Sequence, residues 1–257
     1  MPRLTDLGVI RSMLERDRPW SAYALGDLMP GFAEHCEWFA DEPREAIVLA
    51  FHGFDVPIVF GLGTPGRLAP VFAEVDAPRI ALHIRREAVA ALAPRFVPAE
   101  IQPMWRMVLR PERFAPADRS GVERLGPGDV EAVARLYLDG VESGETPDFF
   151  FPSMLEQGTF RGIRSGGELI AAAGTHLFAP ALGVAAVGNV YTRRDARGRG
   201  LGSRVTAAVV QDVLATGVTT VVLNVRHANG GANRVYERIG FERYCEFVEG
   251  TADRAGY

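Results

Sequence analysis

Arg197-Gly198-Arg199-Gly200-Leu201-Gly202-Ser203 and, one strand later, Asn229-Gly230-Gly231-Ala232-Asn233-Arg234-Val235-Tyr236-Glu237-Arg238-Ile239-Gly240-Phe241 decide the reading of this chain. The first stretch follows an apolar run at 183–192. It precedes Leu201, Val205, Ala208, Val209 and Val213, which recur at steps of three and four and mark one helix face. A strand therefore turns into a helix at 198–203. The first amides of a helix have no acceptor within it and sit at the positive end of its dipole. Such a turn holds an anion, a pyrophosphate above all. Gly198, Gly200 and Gly202 bring the backbone close and open backbone angles barred to other residues. Arg197 and Arg199 add positive charge. In the second stretch Ala232, Val235, Tyr236 and Ile239 mark a helix face that Gly240 ends. Asn229 and Tyr236 are two helical turns apart, on one face. Taken singly, the first stretch is also an ordinary glycine-rich turn, and Tyr236 is also a core aromatic beside Val235 and Ile239.

The 257 residues suffice for two ordinary domains, and 47% of them are apolar. No run is long and apolar enough to span a bilayer. The start, Met1-Pro2-Arg3-Leu4-Thr5-Asp6-Leu7, lacks the plan of a signal peptide, so a cytoplasmic protein with no membrane partner is expected. The net charge of −4 argues against a nucleic-acid partner. All 28 basic residues are arginine. Cys36 and Cys245 are too few and too far apart for a metal site or a disulfide framework, and read as small buried residues. No metal is expected.

A boundary is expected in the Pro- and charge-rich stretch 110–120, giving domains at 1–117 and 118–257. In the second, the pattern predicts a strand at 122–125, a helix opened by Pro127, and a loop at 142–148. A short apolar helix around Phe149 to Leu155 follows. Strands at 159–164, 168–178 and 183–192 come next, then a helix, a strand at 219–225, a helix, and a strand at 241–248. In the first domain a helix is expected at 6–16, strands at 46–51 and 56–60, a helix at 67–75, a strand at 79–84, a helix at 87–93 and a strand at 104–109.

The two motifs, in this order, resemble the signature of the GNAT superfamily of acyl-CoA-dependent acyltransferases. In the family pattern a Gln or Arg is followed by two residues, a Gly, one residue, and Gly or Ala; here those are Arg197, Gly200 and Gly202. The element order over 120–250 is also that of the GNAT fold, and the C-terminal part looks FR47-like, similar to glycine N-acyltransferase. The N-terminal part is a shortened echo of the same order, so a degenerate GNAT-like half is expected before an intact one. The resemblance implies an α/β (α+β mixed sheet) fold, acetyl-CoA as co-substrate, a small-molecule amine as acceptor and direct transfer of an acetyl group. It implies coenzyme A contacts from Val190, Tyr191, Thr192, Arg197, Gly198, Arg199, Gly200, Leu201, Gly202, Ser203, Asn229, Ala232 and Tyr236. Tyr236 would serve as a general acid for the leaving thiolate. A longer-chain acyl-CoA amino-acid N-acyltransferase and a non-catalytic CoA-binding sensor module are the alternatives.

The base is less determined. Some family members carry a carboxylate on the strand before the phosphate turn, and 183–192 contains no Asp or Glu. His176 on the adjacent strand is the candidate, against a water chain, Glu142, Glu145 or Asp148 in the loop, and His227 after the later strand. Phe149, Phe150, Phe151 and Met154 would line the acceptor side, or simply pack a short helix. Trp105-Arg106-Met107 would cover the acceptor cleft of the other half or form an interdomain core. Gly61-Leu62-Gly63-Thr64-Pro65-Gly66 matches a dinucleotide fingerprint. Pro65 removes an amide from it, however, and the next strand ends in Arg85-Arg86 where an acidic residue is needed. It reads as a turn or a worn phosphate loop.

Overall fold

The computed structural model describes residues 3–147 and 149–256. The chain divides into two compact units, and neither is one continuous stretch. Unit 1 holds Met1–Arg106, Val225–Ala228 and Tyr244–Tyr257; unit 2 holds Met107–Asn224 and Asn229–Arg243.

Unit 1 runs α1 (Leu7–Leu14), α2 (Arg18–Gly26), β1 (Cys36–Ala40), β2 (Ile47–Phe51), β3 (Ile58–Leu62), α3 (Pro65–Phe72), β4 (Arg79–Arg85), a 3-10 stretch Arg86–Leu92, and β5 (Phe96–Leu109). The end of β5 belongs to unit 2. Asp6 and Asp17 cap α1 and α2 by accepting from first-turn amides. β1, β2 and β3 pair antiparallel, and α3 carries the chain over so that β4 lies parallel to β3. β2 is buried along its whole length, as its unbroken apolar sequence requires. The core gathers on Val48, Val59, Leu68, Phe72, Ile80, Leu82 and Phe96.

Unit 2 runs β6 (Val122–Leu125), α4 (Val130–Leu138), α5 (Ser153–Gln157), β7 (Phe160–Ser165), β8 (Glu168–Ala179), β9 (Val184–Thr192), α6 (Leu201–Ala215), β10 (Thr220–Arg226), α7 (Gly230–Ile239) and the start of β11 (Phe241–Arg254). β6 to β9 pair antiparallel in sequence order, and α6 crosses over to set β10 parallel to β9. Leu125, Val133, Leu136, Tyr137, Leu155, Phe160 and Tyr191 form the core under α4 and α5. Residues 247–253 of β11 pair antiparallel with β4 and so complete unit 1.

The two units repeat one plan. In each, two helices precede three antiparallel strands, and a crossover helix leads to a parallel strand. Leu4 donates its amide to Trp38 and Arg3 bridges Phe39, where unit 2 has the full strand β6. The expected degenerate half is thus present. It includes α2 and β1, which the sequence pattern leaves without assignment. β5 and β11 run well beyond the predicted 104–109 and 241–248.

Arg106 is fully buried in unit 1. Its guanidinium stands 5.3 Å from the Trp20 ring centre, 4.9 Å from Tyr23 and 5.6 Å from Phe247. It donates to Pro19 O at 3.3 Å and to His83 Nε2 at 2.6 Å. Burial, helped by the guanidinium, holds His83 well below its ordinary value, which leaves Nε2 as the acceptor this contact needs. Neither cysteine is fully buried, contrary to the expectation for both.

Burial pushes the Asp27 carboxyl, at the end of α2, up from 3.8 to about 7. Between those values the folded chain holds a proton that the unfolded chain has released. Stability therefore falls as pH rises through that window. Asp27→Asn should lose less stability than the parent between pH 5 and pH 8, read as denaturation midpoints; equal losses would place the proton elsewhere.

Candidate active site

The site grows from the way β9 ends. β9 and β10 pair in register from Val184↔Thr220 to Val187↔Leu223, and there the ladder stops. Residues 188–192 continue with β8 on one side, Ala172↔Tyr191 and Ala171↔Thr192, and among the described residues have no partner in β10 on the other. A strand edge with free N–H and C=O groups is the binding surface that an amide-bearing chain requires. Two irregularities fall at this point. Gly174 opposes Gly188 and Ala172 opposes Tyr191, so Ala173 faces both Asn189 and Val190, which makes a bulge. Asn189 takes φ of 53°, and its carbonyl accepts the Tyr137 hydroxyl at 2.8 Å. A second register shift falls between Thr175 and Leu177, at His176.

His176 is half-buried, and its ring covers Gly188 so closely that a Cβ there would lie 2.6 Å from it. The imidazole is thus at the bulge and beside the point where the ladder ends.

After β9, Arg193 to Ala196 form a turn, and α6 begins at Leu201 behind Gly200, whose φ is 75°. No side chain caps this helix among the described residues. Gly198 also has φ of 75°, and a Cβ built on Gly198 or Gly200 meets no atom within 4 Å. The glycines here open a space that protein atoms do not fill. Leu201 is buried and anchors the helix start, Gly202 approaches the Thr192 hydroxyl, and Ser203 is half-buried. Arg199 is exposed and joins no ion pair among the described residues. Amides without acceptors, open space above them and an uncommitted cation together fit a diphosphate.

Arg197 does something else. Its guanidinium forks onto both oxygens of Glu145 at 3.0 Å, and its Nε donates to Thr192 O at 3.1 Å. It ties the loop after α4 to the end of β9. Asp139 strengthens the same tie by accepting from the Tyr191 hydroxyl and the Arg194 amide, each at 2.9 Å. The Arg197 and Ser143 hydrogen bonds hold the Glu145 carboxyl below its ordinary value, so it makes a poor base. Glu142 is exposed in this loop, and Asp148 lies outside the described residues. His227 belongs to unit 1, where it stacks on Trp105 with centroids 4.2 Å apart.

The α7 motif divides differently from its sequence reading. Asn229 is not on the helix face of Tyr236. It is the N-cap, exposed, and its Oδ1 accepts the Ala232 amide at 3.0 Å. Asn is a favoured residue at that position, and this local bond fixes it outside the helix. The buried amide on the Tyr236 side is Asn233, 3% exposed, which donates to Asn229 O at 2.8 Å. The i, i+3 spacing to Tyr236 was the available signal for it. Ala232 is half-buried. Tyr236 is 8% exposed and sits edge-on to Phe241 at 6.2 Å; burial pushes its phenol up to about 12. It is therefore protonated near neutral pH and has an O–H to donate.

The glycine-rich turn of unit 1 is built oppositely. A Cβ on Gly61 would strike Phe72, and one on Gly63 would strike Ala46. Arg67 is engaged with Asp41 and Glu45. Packing fills this turn, and it offers no anion cradle. Among the described residues no His, Cys, Asp and Glu cluster suits a metal, and no helix is long and apolar enough to cross a membrane.

Residues 161–248 match the FR47-like protein family. The chain has the GNAT fold, present twice. A GNAT-family protein from Novosphingobium aromaticivorans has a similar structure at 24% identity and a TM-score of 0.64, over 93% of this chain and 99% of that one. A GCN5-related N-acetyltransferase from Kribbella flavida matches at 21% identity and 0.59, over 92% and 96%. A tandem GNAT protein of the clavulanic acid pathway matches at 16% identity and 0.59, over 99% and 98%. No curated protein sequence matches the chain.

Gly200→Ala tests the cradle. It should cost about 1–2 kcal/mol of stability from the left-handed backbone and weaken coenzyme A roughly tenfold or more, read by calorimetry. Unchanged affinity would mean the turn holds no phosphate.

Proposed function

We propose that this chain is an acyl-CoA-dependent N-acyltransferase that moves acetyl from acetyl-CoA directly to the amine of a small molecule. The observation that carries the reading is the uncapped, open start of α6 in the same unit as a buried phenol on α7. A bare anion site has no use for the second feature. Residues 198–203 would hold the pyrophosphate, with Arg199 as its counter-charge. The edge of Val190, Tyr191 and Thr192, which β10 leaves unpaired and where Arg197 already donates to Thr192 O, would take the amides of the pantetheine arm. Asn229 and Ala232 would shape the start of α7 beside it.

Bound acetyl-CoA would supply the thioester. Holding the amine and the thioester in one site removes the need for a covalent enzyme intermediate. Tyr236 donates a proton or hydrogen bond to the departing sulfur, the task for which a phenol kept neutral is suited. His176, at the bulge, is the base we assign for the amine, which must lose a proton before it attacks.

Tyr236→Phe should lower turnover roughly 10²-fold and leave coenzyme A affinity unchanged, measured as free-thiol release from acetyl-CoA with an amine panel. Equal turnover would remove Tyr236 from the chemistry. Faster release from long-chain acyl-CoA with amino acids would move the reading to that reaction. Tight CoA binding without any thiol release would leave a sensor module.

A further inference from the structure

Asn189 is 3% exposed, and its Oδ1 is buried without a hydrogen-bond partner among the described residues. Its other terminus is committed: Nδ2 donates to Met154 Sδ at 3.5 Å. A thioether can only accept, so the NH2 group must face it and the oxygen must face away. The backbone is held as firmly, by the left-handed φ and by the Tyr137 hydroxyl on the Asn189 carbonyl. A buried acceptor left unmatched costs about 1–3 kcal/mol. A chain that fixes an amide so carefully and leaves its oxygen empty has prepared it for a donor from outside.

The position says where that donor arrives. Asn189 is two residues past Val187, where the β9–β10 ladder ends, and next to Gly188, which His176 covers. Gly188, Val190 and Met154 beside it are half-buried. Met154 continues directly from the aromatic run: its amide donates to Phe151 O at 2.9 Å. Phe150 packs on Tyr137 and Phe160 at 5.4 and 6.2 Å. Leu138 at the end of α4 and Val141 just after it are 68% and 57% exposed, and Phe149 and Phe151 are 47% and 43% exposed. Large apolar side chains this exposed and this close together in sequence mark a binding surface.

We infer that Asn189 Oδ1 receives an N–H of the acceptor, and that the acceptor is a primary amine carried on an apolar body which rests on the 149–154 segment. This rests on the acyltransferase reading and specifies its substrate class. The amine would be presented beside His176 by a group that cannot itself take the proton, so Asn189 binds and orients. The N–H groups of the pantetheine arm are the other possible source of the donor. They would face the strand edge of β9, whereas this oxygen belongs to a side chain anchored on α5 through Met154.

The test uses the full chain saturated with coenzyme A, titrated calorimetrically with 2-phenylethylamine and with spermidine. Asn189→Gly keeps the left-handed backbone and deletes the amide; Asn189→Asp keeps an acceptor oxygen in nearly the same shape. 2-Phenylethylamine should bind the parent more tightly than spermidine. It should bind Asn189→Gly roughly tenfold more weakly and Asn189→Asp within about threefold of the parent. Coenzyme A should bind all three alike. Equal amine affinity in Asn189→Gly, or no amine binding at all, overturns the assignment. A matching loss of coenzyme A affinity reassigns the oxygen to the pantetheine arm and also overturns it. Spermidine binding as well as 2-phenylethylamine overturns the apolar body. Amine binding that depends on Asn189 without thiol release from acetyl-CoA would sink the acyltransferase reading and leave the amine site standing.

Discussion

A helix begins with amides that its own carbonyls cannot reach, and everything in unit 2 is arranged around one set of them. α1, α2 and α7 meet this need with Asp6, Asp17 and Asn229. α6 has glycines where the cap would be, and open space above them. The cost of leaving those amides to solvent is small, and the gain is a site whose partial charge is fixed by the backbone. The corresponding turn of unit 1 is built differently. Phe72 and Ala46 close over Gly61 and Gly63, Pro65 replaces an amide, and the turn becomes packing.

The rest of the unit keeps the end of β9 in register with that helix start. Arg197 and Asp139 both look electrostatic, yet their work is mechanical. One joins Glu145 to the Thr192 carbonyl, and the other joins the Tyr191 hydroxyl to the Arg194 amide. Exposed ion pairs contribute little to stability alone. A bidentate fork joined to backbone groups on both sides restrains geometry better than it stabilises. The bulge at Asn189 then turns β9 where its ladder with β10 ends, so a free strand edge, a buried amide and an imidazole meet within a few residues.

Much of this was legible in the sequence because it rests on local chemistry. Glycine and helix periodicity placed the α6 turn, an apolar run placed β9, and a β-branched run placed β10. What was missed depends on three dimensions. Asp17 followed by Pro19 is a legible helix start, but α2 has little amphipathic contrast because unit 1 buries most of it. The interleaving of the units is invisible in a linear reading, because nothing in 241–254 announces that its second half pairs with β4. Arg106 could not be recognised as core without the three rings around it. Asn229 shows the opposite failure, where a spacing argument placed on a helix face a residue whose own capping chemistry keeps it outside. Asn189 had no signal at all, since an orphaned oxygen exists only once its surroundings do.

The central claim is that the backbone at the start of α6 takes the diphosphate of coenzyme A. Titrating the isotope-labelled chain with coenzyme A and following its amide resonances tests this directly. The account predicts that the largest shifts fall on 198–203, with a second set on 188–192, and that 61–66 stays still. Shifts centred on 61–66, or none at 198–203 under saturating coenzyme A, would contradict it.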